Sequence, residues 1–368
     1  IINYAFFVPK PDGKIDGFDV WADEQLLLGK TDWVNGGYLP NTSLVDLAHN
    51  NNVKVLISVG GWTLSTEFPQ IAASAGKRAV FAGACRQLVQ KYKLDGIDID
   101  WEYPGYTPHG GTAADKQNFT LFLQQIKDSL SAYTVVTGKS YLLTAAVGAS
   151  PANASNVEWN NVKNILDMIN LMTYDFFGAW DSKANHNAPL YAPTQGDPSF
   201  NVQAAYTMFT QTYNIPGSKL NIGLGFYGRS QTGATALHQA TNGGENTTLF
   251  SDDAGVPQYF NVMKYLNLFD YYWDNTAKVP YLLGKTGGTA AGTFVSYDNK
   301  ESIAEKAKFI NTHGARGAIV WEITGDFMEA SPGSGIIAST PLADTLNYIL
   351  CSNLILGVNN DEKNINSA

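Results

Sequence analysis

The chain has 368 residues, of which 44% are hydrophobic, 15% charged and 12% aromatic, including 8 Trp and 19 Tyr. Its net charge of −9 argues against nucleic acid and anionic membranes as partners, because both would repel it. No apolar run in the sequence is long enough to span a bilayer. Few charges and many aromatic rings favour a neutral, ring-shaped ligand such as a sugar.

Predicted strands and helices alternate along the chain, a pattern typical of a parallel sheet covered by helices. The predicted strands are residues 1–8, 53–59, 97–102, 141–147, 169–175, 220–226 and 317–323. The predicted helices lie near residues 42–50, 76–92, 113–132, 159–166, 202–213, 302–312 and 341–351. Counting these pairs gives seven strand–helix units.

Two segments depart from this alternation. Residues 230–300 are rich in Gly and Thr and carry short aromatic pieces with strand character, so we interpret them as an inserted α+β subdomain. Residues 352–368 are polar and rich in Asn, as expected for a tail or linker.

The segment 97–102 reads Ile-Asp-Ile-Asp-Trp-Glu and places a carboxylic acid at every second position. This period of two predicts a strand with one apolar face and one acidic face. Repulsion between neighbouring carboxylates raises the pKa of at least one of them, so one acid keeps its proton near neutral pH. Pro104 ends the strand and leaves Glu102 at its tip, which indicates a proton-donating catalytic acid.

A Ca²⁺ or Mg²⁺ site is the alternative interpretation, because hard cations also bind clustered carboxylates. Cation-binding loops interleave Gly and Asn, however, where this segment has Ile and Trp. We therefore expect no metal and no cofactor. The two cysteines, Cys85 and Cys351, are expected to be separate, reduced and mostly buried thiols.

The run from Asp95 to Glu102, with Asp98 and Asp100 between them, resembles the DxxDxDxE signature of family 18 glycoside hydrolases, the chitinases and their relatives. The resemblance implies an α/β fold, a (β/α)₈ TIM barrel with its active site at the carboxyl ends of the strands. Residues 1–229 and 301–351 would form the barrel. Residues 230–300 would correspond to the inserted subdomain of the deep-cleft subgroup.

The seven units are one fewer than such a barrel needs. Residues 1–8 correspond to the second strand of the family, and the first barrel strand is apparently missing from the N-terminus. Either the N-terminus is trimmed or residues 353–358 close the barrel as a permuted strand. We expect trimming.

Further segments resemble other motifs of the family: 58–61 matches SxGG, 172–175 matches MxYD, and 226–229 matches FYGR. The catalytic residues implied by the resemblance are Glu102, Asp100, Asp98, Tyr174 and Asp175. The implied substrate-binding residues are Trp321, Trp62, Trp180, Met172, Tyr227, Arg229, Tyr103 and Ser58. Ser58 is expected to form a hydrogen bond with Asp98.

Asp175 presents a difficulty for this assignment. Asn170, Met172 and Tyr174 share one face of the predicted strand, whereas Asp175 has the opposite parity. Its side chain therefore joins them only if the strand end bends. The resemblance also predicts non-proline cis peptide bonds at Ala5–Phe6, Glu102–Tyr103 and Trp321–Glu322.

The function implied by the resemblance is retaining hydrolysis of chitin or chito-oligosaccharides, assisted by the N-acetyl group of the substrate. The alternatives are an endo-β-N-acetylglucosaminidase acting on N-glycans and a non-catalytic chitin-binding lectin. The intact Glu102 argues against the lectin, and the inserted subdomain argues against the endo-β-N-acetylglucosaminidase. We expect a secreted monomer, either alone or as one part of a longer multi-domain chain. We also expect a tunnel-like cleft and a bias to exo-acting or processive cleavage.

Overall fold

The computed structural model describes the backbone of residues 1–361, and the side chains of that range other than those of residues 252 and 352–361. The chain folds into two compact units, Ile1–Asn170 and the chain from Leu171 onward. The division falls inside strand β6, Met168–Met172.

The first unit is built on a mostly parallel sheet. Its strands are β1 Ile2–Pro9, β2 Ile15–Gly17, β3 Val55–Gly60, β4 Gly96–Asp100, β5 Leu142–Gly148 and the start of β6. Their order across the sheet is β6-β5-β4-β3-β1-β2. The pairs β1–β3, β3–β4 and β4–β5 are parallel, whereas β2 pairs antiparallel with β1.

Helices connect these strands as the sequence predicts for a parallel sheet. They are α1 Val20–Leu27, α2 Leu44–Asn50, α3 Phe68–Ala73, α4 Ala75–Tyr92, α5 Asp115–Thr137, α6 Pro151–Ser155 and α7 Trp159–Ile165. The hydroxyl of Ser74 accepts a hydrogen bond from the Lys77 N–H and so caps α4. Gly138, with φ 71°, ends α5.

The apolar face of β4 anchors the core of the first unit. Ile97 and Ile99 are fully buried, and Trp101, just after the strand, is 2% exposed. The Trp101 ring stacks on Phe68 from α3, with 5.4 Å between ring centroids, and meets Phe122 from α5 edge-on. The acids of the same segment are thereby held on the opposite face.

The second unit contains the end of β6, a parallel pair of strands and an antiparallel sheet. Its strands are β7 Leu220–Gly225, β8 Gly228–Thr232, β9 Phe269–Asp274, β10 Val279–Gly284, β11 Thr293–Tyr297, β12 Gly317–Trp321, β13 Met328–Glu329 and β14 Ile337–Ser339. Its helices are α8 Val202–Thr207, α9 Tyr259–Tyr265, α10 Lys300–His313 and α11 Pro341–Asp361. Strands β7 and β12 pair in parallel.

Strands β8, β11, β10 and β9 form the antiparallel sheet, in that order. With α9 they lie almost entirely within the region 230–300, which has the mixed α and β content expected there. The assignment of that region as a separate inserted subdomain stays a prediction.

The C-terminal segment corrects one expectation. Residues 353–358 lie in helix α11, so the permuted strand considered for them is wrong. The predicted polar tail, 352–368, overlaps α11 as far as Asp361, and its last part, 362–368, lies outside the described residues. Among the helices that the structure describes, none is long and apolar enough to cross a membrane.

Two further expectations concern the cysteines and the peptide bonds. Both cysteines are free thiols. Cys85 is buried as expected, but Cys351, in helix α11, is exposed, so that part of the prediction is wrong. The three predicted cis peptide bonds, Ala5–Phe6, Glu102–Tyr103 and Trp321–Glu322, are all present.

Candidate active site

The acidic row of the first unit lies at the carboxyl end of β4. Asp98 and Asp100 belong to the strand and are 2% and 7% exposed. Glu102 follows two residues beyond the strand end and is half-buried. The predicted row of three carboxyl groups is therefore present, with two deep acids and one shallower acid.

Asp98 is held by three donors, one each from strands β3, β5 and β6. Ser58 Oγ donates to Asp98 Oδ2 at 2.8 Å, which confirms the expected contact. Thr144 Oγ1 and Asn170 Nδ2 both donate to Oδ1, the latter at 3.1 Å. Burial raises the pKa of Asp98, while these three hydrogen bonds oppose the rise.

Asp100 has no such support. Its buried Oδ1 has no hydrogen-bond partner among the described residues. Burial raises the pKa of Asp100 well above its usual range, and the charges of Glu102 and Asp98 raise it further. Of the two aspartates, Asp100 therefore has the greater tendency to hold a proton.

The first acid of the motif, Asp95, lies at the other end of β4 and has a structural role. It accepts hydrogen bonds from Val55 N–H and His49, each at 2.8 Å, and pairs with Lys139 at 3.0 Å. Burial would raise the pKa of Asp95, but the bonds from Val55, His49 and Lys139 lower it overall. Asp95 thus ties the start of β4 to β3 and α2.

Aromatic side chains surround the segment after Glu102. The Trp62 ring, 49% exposed, lies near Tyr103, Tyr106 and His109, with centroid distances of 6.4, 5.6 and 4.7 Å. An exposed cluster of rings beside buried acids is suited to binding the apolar faces of sugar rings.

The second unit contains a separate cluster around Asp175. The backbone of Asp175 has φ 56°, so the chain bends after β6 as the parity argument requires. Arg229 binds both carboxylate oxygens, with Nε 2.8 Å from Oδ1 and an Nη 2.7 Å from Oδ2. Tyr227 donates its hydroxyl to Oδ1 at 2.6 Å, and Asn187 Oδ1 accepts the Asp175 N–H at 2.9 Å.

The other predicted residues of the second unit lie near this cluster or at strand ends. Tyr174 meets the Tyr227 ring edge-on at 6.1 Å. The Arg229 guanidinium lies 5.0 Å from the centroid of the Trp180 ring, which is 58% exposed. Met172 ends β6 and is buried, while Trp321 ends β12 and is 38% exposed.

Sequence reasoning missed several residues that support these clusters. Thr144 lies directly opposite Asp98 in the register of β5 and β4, a relation that strand alignment could have revealed. Ser65 and His109 contact the backbone of Glu102, and no sequence motif marks them. The pairing of Glu245 with Arg229, at 3.7 Å, joins residues too distant in sequence to infer.

Comparison with known proteins assigns this geometry to a family. The sequence profile described as Glycosyl hydrolases family 18 matches residues 1–326. The chain belongs to this family. The resemblance carried by the acidic motif is thereby confirmed.

Among family 18 relatives, chitinase A1 of Niallia circulans is 39% identical over 334 residues, which cover 86% of this chain and 47% of the relative. Chitinase ChiA74 from Bacillus thuringiensis matches with a TM-score of 0.80 and 32% identity, over 95% of this chain and 65% of that one. A family 18 N-acetylglucosaminidase from Paenibacillus barengoltzii matches with a TM-score of 0.78 and 29% identity, over 95% and 92%.

These likenesses confirm the predicted fold class, the α/β barrel of family 18. The chain spans about half the length of the curated chitinase A1.

Proposed function

We propose that this family 18 chain hydrolyses β-1,4-linked N-acetylglucosamine polymers, with chitin or chito-oligosaccharides as substrate and with retention of the anomeric configuration. The observation that carries the proposal is the row Asp98, Asp100 and Glu102, in which two buried aspartates with unequal hydrogen bonding precede a half-buried glutamate. The names of the similar chitinases support the same substrate class.

Glu102 acts as the general acid in this proposal. It protonates the glycosidic oxygen as the bond to the anomeric carbon breaks, and then accepts a proton from the attacking water. The N-acetyl oxygen of the substrate supplies the electron pair that forms the new bond to the anomeric carbon, giving an oxazolinium ion. Water then opens this ion from the face that the leaving group occupied.

Asp100 orients and polarises the acetamide N–H during this step. Its raised pKa keeps it protonated before substrate binds, and it loses that proton towards Asp98 as positive charge develops. Asp98 is able to share the proton, because its own pKa is also raised. The charge on the two aspartates then stabilises the oxazolinium ion.

The residues of the second unit hold the acetylated sugar. Tyr174 donates to the acetamide oxygen, and Asp175 supports the distorted ring at the cleavage site. Arg229 and Tyr227 fix the Asp175 carboxylate by three hydrogen bonds, so that its direction is set before substrate arrives. In the first unit Trp62 and Tyr103, and in the second Trp321, Trp180 and Met172, provide apolar contacts for sugar faces.

The deciding experiment compares Glu102→Gln with the native chain on a chromogenic chitobiose substrate. We expect kcat to fall by about 10²–10⁴-fold, the usual contribution of a general acid, with KM nearly unchanged because Gln has the shape of Glu. Glu67→Gln, at another half-buried glutamate of the same unit, serves as the matched control. A native chain that binds chitin without turnover would support the lectin alternative and contradict the proposal.

Product analysis separates the remaining alternatives. Chitin degradation predicts short N-acetylglucosamine oligomers from colloidal chitin and no release from a high-mannose glycoprotein. Cleavage of the glycoprotein alone would indicate an endo-β-N-acetylglucosaminidase. N-deacetylated sugar at the cleavage site should not be hydrolysed, since it lacks the oxygen that attacks the anomeric carbon.

The cellular setting follows from the proposed substrate. Because an insoluble polymer does not enter a cell, the chain acts as a secreted protein outside the cell. We also propose that the protein is a monomer, with or without further domains. Secretion is tested by fractionating the source culture, and the monomer by light scattering of the purified chain.

A further inference from the structure

The backbone of Glu102 is held on both sides by side chains of the first unit. The Glu102 N–H donates to Ser65 Oγ at 2.9 Å. On the other side, His109 Nδ1 lies 2.6 Å from the Glu102 carbonyl oxygen. A carbonyl oxygen only accepts hydrogen bonds, so His109 Nδ1 carries the hydrogen. Neither contact is part of the regular backbone hydrogen bonding of a strand or a helix.

Both contacts rest on well-anchored neighbours. Ser65 is fully buried and also donates to Gly61 O at 2.9 Å. His109 lies in a compact loop, in which its own N–H and that of Gly111 both donate to Tyr106 O. This loop is tied down by the buried Asp115 carboxylate, which accepts the Gly105 N–H at 3.0 Å.

The His109 ring also packs against the aromatic cluster. Its centroid lies 4.7 Å from that of Trp62 and 5.1 Å from that of Tyr106. Trp62 and Ser65 belong to one short helical segment, Trp62–Glu67. One segment therefore contacts the N–H side of Glu102 directly and packs, through Trp62, on the histidine that holds the carbonyl side.

We propose that His109 is a positioning residue for Glu102, acting together with Ser65. The direction of a Cα–Cβ bond follows from the orientation of the two peptide planes beside it, and these contacts fix both planes at Glu102. A catalytic acid displaced by about 1 Å loses on the order of 10²-fold in rate. The inference rests on the proposed role of Glu102 as general acid.

Two substitutions separate the hydrogen bond from the ring. His109→Asn keeps a donor where Nδ1 lies, because the Asn Nδ2 is attached at the same Cγ position, but removes the ring. His109→Phe keeps the ring and removes the donor. Thr107→Ala, at an exposed position of the same loop, is the matched control, and thermal unfolding of each variant monitors folding.

With soluble chito-oligosaccharide, His109→Phe should lower kcat about tenfold with KM changed less than about twofold, and His109→Asn should restore kcat to within about threefold of the native value. Thr107→Ala should behave as the native chain. Equal loss in both His109 variants, or a loss confined to KM, would overturn the proposal.

Nitrogen NMR of the histidine rings tests the contact without any turnover. The His109 ring should show the Nδ1–H tautomer in the native chain, because Nδ1 faces the carbonyl. An Nε2–H tautomer would overturn the positioning role even in an active enzyme. A native chain inactive on chito-oligosaccharides would instead contradict the proposed function, while the NMR spectrum still decides the hydrogen bond.

Discussion

Two aspartates on one strand, only two residues apart, have opposite environments. Asp98 accepts hydrogen bonds from Ser58, Thr144 and Asn170, whereas Asp100 has a buried oxygen without a partner among the described residues. A carboxylate with three donors is stabilised as the anion, and one with none is stabilised as the neutral acid. The local surroundings therefore decide which of the two holds the proton.

This difference predicts a gain in stability for Asp100→Asn, together with a loss of activity. The raised pKa of Asp100 means that the folded chain binds this proton more tightly than the unfolded chain. The free energy of unfolding of the native chain therefore falls as pH rises from about 4 through the raised pKa. The amide stays neutral, so this loss is absent in the variant.

We expect Asp100→Asn to be more resistant to urea than the native chain at pH 8, with a smaller difference at pH 5. Its kcat should fall by about 10²–10³-fold, as for loss of a group that stabilises developing charge. Asp98→Asn is the contrasting variant, because its amide N–H₂ would face donors and destabilise the fold at both pH values. Equal destabilisation of Asp100→Asn at both pH values would contradict this assignment.

At Asp175 the decisive feature is the geometry of its cationic partner. Arg229 binds both carboxylate oxygens, and lysine keeps the charge but not the planar pair of donors. We expect Arg229→Lys to lower kcat/KM roughly tenfold or more on chito-oligosaccharides. Glu245→Gln, which removes the more distant 3.7 Å contact of Arg229, should have a smaller effect. Native activity in Arg229→Lys would show that Asp175 does not need this support.

At the scale of elements, the sequence pattern predicted all seven strands that alternate with helices along the chain. Contacts between neighbouring strands contain information that the residue pattern of a single strand does not. The pattern placed the end of β6 at residue 175, but the strand ends at Met172, because Thr173 N–H donates to Leu171 O and Asp175 takes a positive φ. Such a bend depends on the contacts of Asp175 and leaves no periodic signal.

The polar segment after β1 shows a second limit of sequence patterns. It belongs to none of the predicted strands or helices, yet it forms β2 and α1. Strand β2 exists because it pairs with β1, and the buried Asp23 of α1 accepts the Tyr4 hydroxyl at 2.7 Å. Tertiary contacts of this kind override weak local propensity.

Helix α10 carries a buried ion pair that predicts a large stability effect. Lys306 and Asp298 are almost completely buried, with Nζ 2.7 and 2.6 Å from the two carboxylate oxygens. Lys306→Met would leave Asp298 buried without its counter-charge. We expect the free energy of unfolding to fall by about 3–5 kcal/mol, measured by urea denaturation.

A double variant tests the cause of that loss. Asp298→Leu combined with Lys306→Met removes both charges and should recover much of the lost stability, since apolar replacement of a buried pair is often neutral. The exposed pair of Lys308 and Glu305 provides the control, and Lys308→Ala should change stability by less than about 1 kcal/mol. A double variant no more stable than Lys306→Met would indicate lost packing as the cause.

For the whole chain, the sequence predicted the family and the acidic row well, because a fixed spacing of four acids between β-forming residues is rarely met by chance. It predicted poorly the residues that hold those acids in place. Ser65, His109 and Thr144 come from other elements, and their roles depend on how the backbone approaches them. A sequence motif identifies the reacting groups, whereas three-dimensional packing determines which residues hold them in place.

Stability of the whole molecule in acid should depend on a second buried contact. His186 is fully buried and its Nε2 lies 2.9 Å from Asp274. The hydrogen bond from His186 lowers the pKa of Asp274 to about 2. The stability from this contact is therefore fully present above about pH 4, the usual pKa of the unfolded group, and is lost as pH falls towards 2.

His186→Phe should accordingly unfold at lower urea concentration than the native chain at pH 6, with a smaller difference near pH 3. His186→Gln, which keeps a donor at the Nε2 position, should recover part of the loss. A difference between native and His186→Phe chains that does not change between pH 6 and pH 3 would rule out the pairing with Asp274 as its source.

The alternation along β4 and the residue after it also determines which genetic changes this chain is able to tolerate. Ile97, Ile99 and Trp101 fill the core, while every intervening side chain is an acid. Side chains alternate between the two faces of a strand. Deleting or inserting one residue here would therefore point the carboxylates into the apolar core and the apolar side chains out of it. Substitutions along this strand would produce graded defects, whereas any change of its length would abolish folding and turnover together.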